Sequence, residues 1–330
     1  MTTLTRRTAL KATAASFAAA GFVKMLPAAA AAENAEVSWA SINPGSFTTL
    51  VMEYMTKRQL DKKHGVAFPK PQIYTSVNTY YNDFVAENYD MCMGSWDTFA
   101  SRYQAGVPLQ FVCGFTTGNM INILVPANGA KSLEELRGKT IAATQATGTY
   151  RVTRALLKDI NGFDIEKDMN VQNVDNPAAA VTLVMIDRAD AVLVWEPNTS
   201  AALARSPDIR VLYSAGDEYR KKTGAELPYF GVAVRKELLA RMPDVARRLD
   251  AAFAECVSGI MQDVDAAVDL VGQNAGVDQE VLRAAMKSGR LQFRHFSMAD
   301  PAGRASVTAA SEMLVKNKVL DRPIDDGFFA

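Results

Sequence analysis

The sequence predicts an α/β protein whose body is divided into two lobes and ends in a helical region. Three observations carry this expectation. Short apolar runs alternate with longer amphipathic segments, the alternation restarts once past Gly118, and 330 residues exceed what one compact core usually needs.

The first series runs as follows. Residues 37–42 read as a strand. Residues 47–64 read as a helix, with Leu50, Tyr54 and Met55 among its apolar positions. Residues 72–75 form a second strand, 80–87 a short helix, 89–93 a strand, 96–105 a helix and 109–113 a strand. This order implies a mainly parallel sheet covered by helices on both faces.

The second series begins with a strand at 121–125. Ser132-Leu133-Glu134-Glu135 follows with the spacing of a capping box that opens a short helix. Strands are then expected at 139–143, 169–174, 191–194 and 209–213, with helices at 149–161, 177–187 and 197–205. A strand at 228–234 comes next, and from Lys236 the chain reads as helices to Val319. The chain therefore crosses between lobes near 118–122 and near 215–229. Lobe I comprises 33–118 plus 229–330, and lobe II comprises 119–228 with the hinge crossings.

Composition is that of a globular protein, 48% hydrophobic and 22% charged. The chain as a whole carries no net charge, and nothing in it points to nucleic acid. The balance is uneven, however. Arg6, Arg7, Lys11 and Lys24 are the only charges before Glu33, so removing that leader leaves 32 basic against 36 acidic residues, a net charge of −4. Residues 1–32 have the regions of a signal peptide: a basic start, an apolar run at 12–23 and small residues at 27–32. The apolar run is too short to span a bilayer as a mature helix. Thr5-Arg6-Arg7-Thr8-Ala9-Leu10-Lys11 resembles a twin-arginine export signal, with Ala9 where a bulky apolar residue is usual. Cleavage near Ala32 would yield a soluble periplasmic protein without a membrane anchor, and a monomer is expected.

Cys92, Cys113 and Cys256 include none at the cleavage site, so a lipid anchor has no acceptor. Buried free thiols are the preferred reading, and a Cys92–Cys113 disulfide is the alternative. His64 and His295 are the only histidines and no Cys-x-x-Cys occurs, so neither a metal site nor a cofactor is expected. His64, in Lys62-Lys63-His64-Gly65, reads as a helix C-terminus. No nucleophile–histidine constellation or phosphate loop is present, and the expectation is a binding protein with no catalytic residues.

Open α/β sheets bind ligands at the carboxyl ends of strands, where helix N-termini offer unpaired N–H groups and partial positive charge. Three such loops stand out. Ser41-Ile42-Asn43-Pro44-Gly45-Ser46 follows the first strand, and Gly94-Ser95-Trp96-Asp97 the third. Thr144-Gln145-Ala146-Thr147-Gly148-Thr149-Tyr150 follows the 139–143 strand, with Arg151 in the next helical turn. Each loop taken alone reads more readily as a helix cap than as a ligand loop; together, and divided between lobes, they read as a cleft. Candidate ligand contacts are Ser41, Asn43, Gly45, Ser46, Ser95, Trp96, Asp97, Thr147, Gly148, Thr149, Tyr150, Trp195, Glu196 and Tyr229. Aromatic residues would cover a flat or apolar part of a ligand, and Asp97 and Glu196 could accept hydrogen bonds from an amine. Arg151 would pair with a carboxylate or sulfonate.

Several segments carry a family resemblance over about residues 37–249. They are Glu87-Asn88-Tyr89-Asp90 followed by Gly94 and Gly106-Val107-Pro108, Ser132-Leu133-Glu134-Glu135-Leu136-Arg137-Gly138-Lys139, and Arg188-Ala189-Asp190-Ala191 through Trp195-Glu196-Pro197. In order, they resemble the nitrate/sulfonate/taurine and thiamine-pyrimidine type of ABC-importer solute-binding proteins. That resemblance implies a periplasmic-binding-protein fold (type II, Venus-flytrap), a small-molecule ligand in the hinge cleft and delivery to the membrane permease of an ABC importer. The expected ligand is a small organic anion such as a sulfonate or carboxylate. A nitrogenous ring such as a thiamine-precursor pyrimidine is the alternative. A pyrimidine-synthase-like enzyme is disfavoured by the lack of that enzyme's cysteine cluster, and a periplasmic sensor partner stays open.

Overall fold

The computed structural model describes residues 34–42 and 46–330. The leader, with the cleavage site and twin-arginine signal expected there, and Asn43 and Gly45 of the first loop lie outside the described residues. Among the described residues the short apolar segments form thirteen strands. Before the first crossing these are β1 (Ala35–Glu36), β2 (Ala40–Ile42), β3 (Val66–Ala67), β4 (Gln72–Tyr74), β5 (Met91–Ser95) and β6 (Leu109–Thr116). The second series supplies β7 (Ile121–Pro126), β8 (Thr140–Ala143), β9 (Asn170–Asn173), β10 (Ala191–Trp195) and β11 (Ile209–Ser214). After the return come β12 (Phe230–Arg235) and β13 (Phe293–Ser297).

Two main sheets result, in the orders β13-β6-β12-β5 and β11-β7-β10-β8-β9. The parallel pair β2–β4 extends the first through a parallel bridge between Trp39 and Met91. Neither sheet is mainly parallel, which corrects the expectation. In the first, β12 runs antiparallel to β5 and β6, and β13 runs antiparallel to β6. In the second, β7 is antiparallel to β10 and β11, whereas β8 lies parallel to β9 and β10. The physical reason lies in the crossings. Strands β5 and β6 run toward them, while β7 and β12 start from them and enter their sheets against that direction.

The two crossings lie side by side. Thr117 and Pro228 form an antiparallel bridge, and the Gly118 N–H donates to the Leu227 carbonyl at 2.8 Å. Hydrogen-bonded extended chain at this point satisfies backbone groups that would otherwise be left unpaired between the lobes.

The C-terminal region is largely helical, with helices at Lys236–Arg241, Val245–Gln262, Val264–Val271, Gln279–Lys287 and Pro301–Lys316. Strand β13 interrupts it, a second correction. Phe293 and Phe296 flank a β-bulge against Thr116 and Gly114, and the edge of β6 accepts the strand. The first sheet is sealed by stacked aromatic pairs, Phe115 with Phe253 (5.7 Å between centroids) and Phe111 with Phe328 (5.6 Å). Leu124, Val192, Val194, Ala180 and Val184 form a core on one face of the second sheet. Burying a leucine or valine side chain contributes about 1.5–3 kcal/mol. Cys92, Cys113 and Cys256 are all free and buried. No helix among the described residues is long and apolar enough to cross a membrane.

A candidate solute-binding cleft

Strand β5 ends in Ser95, and the Trp96–Gln104 helix begins at once, so Asp97 sits in a first helical turn with its side chain fully buried. Trp96 is anchored to the return crossing. Its backbone N–H donates to the Tyr229 carbonyl at 3.1 Å and its indole N–H to the Pro228 carbonyl at 2.8 Å. It is therefore a core residue as well as a member of the loop. Gly94, just before Ser95, lies against Tyr81: a Cβ there would come within 2.1 Å of the Tyr81 hydroxyl.

Strand β8 is followed by a turn and the Gly148–Asn161 helix, whose N-cap Thr147 accepts from the Tyr150 N–H at 3.3 Å. The apolar stripe of this helix is long enough to fix it firmly, since Val152, Ala155, Leu156 and Leu157 are buried. Its N-terminus meets the Ser95–Asp97 turn. A Cβ on Gly148 would come within 2.3 Å of Ser95 Oγ and 2.5 Å of Asp97 Oδ1, so only glycine permits this approach.

Polar contacts join the same two segments. Arg151 donates from Nη2 to Asp97 Oδ2 at 2.9 Å and from Nε at 3.2 Å, and its Nη2 also reaches Thr98 Oγ1 at 2.7 Å. Burial works against the Arg151 charge, but the Asp97 carboxylate more than offsets it and raises the guanidinium above its ordinary value. Thr149 Oγ1 and the Tyr229 hydroxyl are 2.7 Å apart. Burial, then the nearby Asp97 carboxylate, push that phenol well above its ordinary range, so it is a neutral hydroxyl. Asp97 Oδ1 is buried without a hydrogen-bond partner. A carboxyl oxygen left unpaired in such a place favours an incoming N–H or O–H donor.

The structure thus brings Ser95, Asp97, Gly148, Thr149, Arg151 and Tyr229 together. Other candidates have partners elsewhere. Ser46 caps the Phe47–Lys57 helix, accepting from the Thr48 N–H, and Ser41 Oγ lies 3.2 Å from Thr49 Oγ1. That first loop connects to the cleft through Phe47, whose ring packs 5.0 Å from Phe230 beside Tyr229. Tyr150 is buried, and its hydroxyl lies 3.4 Å from Gln145 Nε2 and 3.4 Å from Glu166 Oε1. Trp195 is half-buried and pairs with Ile121 at the mouth of β7.

Glu196 is fully buried and spends both oxygens within the protein. Oε1 accepts from Arg290 Nε at 2.7 Å and from the Ser200 hydroxyl at 3.0 Å, and Oε2 accepts from the Ser200 N–H at 3.1 Å. Burial pushes its carboxyl above the usual range, against the pull of Arg290 and Ser200. Sequence reasoning missed Arg290, Ser200, Thr98 and Tyr81. None carries a local signal, and Arg290 lies 94 residues from its partner.

Two mixed α/β sheets joined by adjacent crossings, with helix N-termini meeting between them, make the two-lobed periplasmic-binding-protein fold (type II, Venus-flytrap). Solved structures share it. The aliphatic sulphonate binding protein SsuA of Escherichia coli superposes with a TM-score of 0.70 at 16% identity, covering 89% of this chain and 96% of that one. The alkanesulfonate-binding SsuA of Xanthomonas axonopodis pv. citri, bound to MOPS, gives 0.68 at 14% identity over 88% and 96%. A putative sulfonate-binding SsuA of Methylobacillus flagellatus KT gives 0.66 at 16% identity over 90% and 92%. No curated protein sequence matches the chain significantly. The chain belongs to the family described as ABC transporter, phosphonate, periplasmic substrate-binding protein, whose sequence profile matches residues 51–274. It is a periplasmic substrate-binding component of an ABC importer, in a family of transport proteins rather than enzymes.

Proposed function

We propose that this protein captures a small organic anion, sulfonate- or carboxylate-like, between residues 33–118 plus 229–330 on one side and 119–228 on the other. Closure of these lobes carries the solute to the permease. The observation that carries this reading is the meeting of the Gly148–Asn161 helix N-terminus with Ser95, Asp97 and Tyr229. A helix N-terminus with its partial positive charge lies there, and a ligand touching both walls binds the closed state more tightly than the open one. The sulfonate-binding fold relatives favour the same solute class.

A nitrogenous ring is the second reading, favoured by the unpartnered Asp97 Oδ1. A thermal-shift screen of the purified protein against sulfonates, carboxylates, phosphonates, nitrate and aminopyrimidines separates the two. The anion reading predicts stabilisation by an anion that survives Asp97→Asn. Stabilisation by an aminopyrimidine alone, weakened about tenfold or more by Asp97→Asn, would establish the second. No response to any solute would sink both.

The protein works as a monomer after export by the twin-arginine-like leader. N-terminal sequencing of the exported protein should begin at or next to Glu33, and a retained leader would contradict this.

A further inference from the structure

Three side chains far apart in sequence converge where β6, β13 and the Val245–Gln262 helix pack together. Cys113 Sγ, a carboxylate oxygen of Asp250 and a ring nitrogen of His295 all lie within 4.8 Å of one another. His295 Nε2 is 3.0 Å from Asp250 Oδ1, and Ser297 Oγ donates to Asp250 Oδ2 at 2.9 Å. We propose that Cys113, Asp250 and His295 form a binding site for one borderline-soft divalent ion of the Zn2+ class, with a solvent oxygen in the fourth position.

The donor set is the first argument. A sulfur, an imidazole nitrogen and a carboxylate oxygen are each zinc ligands, and the sulfur disfavours Mg2+ and Ca2+, which prefer oxygen. Geometry is the second. Bonds of about 2.0–2.3 Å to a tetrahedral ion hold its donors roughly 3.3–3.7 Å apart, so donors within 4.8 Å of one another need close in by at most about 1–1.5 Å, and the 3.0 Å His295–Asp250 pair opens by a few tenths of an ångström. The frame around them is stiff, because Ser297 pairs with Cys113 across β6–β13 and the helix packs over both strands.

The surroundings supply the rest. Ser297 already orients the second Asp250 oxygen, as a supporting hydrogen bond does around a bound metal. Asp250 and His295 side chains are 20% and 19% exposed while Cys113 is fully buried, so an ion would enter from solvent and seat against the sulfur. The buried Cys113 sulfur would be the innermost donor, and a dication supplies the positive charge that stabilises a thiolate. The ion would clasp β13 to the helix and stiffen the C-terminal region. The expectation of no metal site rested on two histidines and no Cys-x-x-Cys. It missed this cluster because its members stand at positions 113, 250 and 295.

The test is Co2+ titration of tag-free purified protein stripped with a chelator. The proposal predicts thiolate-to-cobalt charge-transfer absorption that saturates at about one ion per chain and is displaced by Zn2+, together with a Zn2+-dependent rise in Tm. Cys113→Ser should abolish the absorption, and His295→Gln and Asp250→Asn should each weaken binding by at least about tenfold. Should Cys113→Ser fail to fold, the wild-type spectrum and the partly exposed His295→Gln variant still decide. Absence of the charge-transfer band in the wild type, or unchanged affinity in His295→Gln and Asp250→Asn, would overturn the proposal.

Discussion

At the scale of single residues the cleft turns on Gly148. A methyl group there would meet Ser95 Oγ at 2.3 Å and Asp97 Oδ1 at 2.5 Å, and neither partner is a long side chain that can move aside cheaply. Gly148→Ala should therefore weaken solute binding by at least about tenfold, some 1.4 kcal/mol. Stability without ligand should also fall, by about 1–3 kcal/mol, because the added methyl overpacks a contact within the protein itself. Calorimetric titration beside chemical denaturation measures both. This contact was half legible in the sequence. Ser95, Asp97, Thr147 and Gly148 stand where strand ends meet helix starts, and local spacing reveals that much. That Arg151 would face Asp97 rather than solvent depends on how two distant segments pack, and local spacing carries no such information.

At the scale of elements, the Asn198–Arg205 helix is held to the C-terminal region by a buried cluster, Glu196 and Ser200 with Arg290. The Gln279–Lys287 helix packs beside it. Glu196→Gln keeps the shape and removes the charge, so Arg290 loses its charged acceptor. A destabilisation of about 1.5–3 kcal/mol is expected by urea denaturation, the worth of a hydrogen bond to a charged group. A change within about 0.5 kcal/mol would mean the cluster contributes packing alone. Element types were largely readable, because apolar runs and amphipathic periods arise locally. Strand direction was not, since β7 and β12 take theirs from the crossings. Strand β13 was overlooked although Phe293-Arg294-His295-Phe296 is rich in β-forming residues, because the helices on either side of it dominate the pattern.

For the whole molecule, ion pairs bracket the gap between the two sheets. Asp97 with Arg151 lies at the cleft, and Glu196 with Arg290 lies near the crossings. Each joins an element beside one sheet to an element beside the other, so the lobe closure proposed above would keep these pairs and opening would break or stretch them. The division into two lobes was legible from one restart of the strand–helix alternation, whereas the contacts between them required the packed structure. The most direct measurement of the central claim is a crystal structure of the protein with the solute that stabilises it. The account predicts the solute between the Gly148–Thr149 backbone and the Ser95–Asp97 turn, with both lobes in contact with it. A solute bound elsewhere, for instance in the crevice lined by Asn122, Arg220 and Arg290, would contradict it.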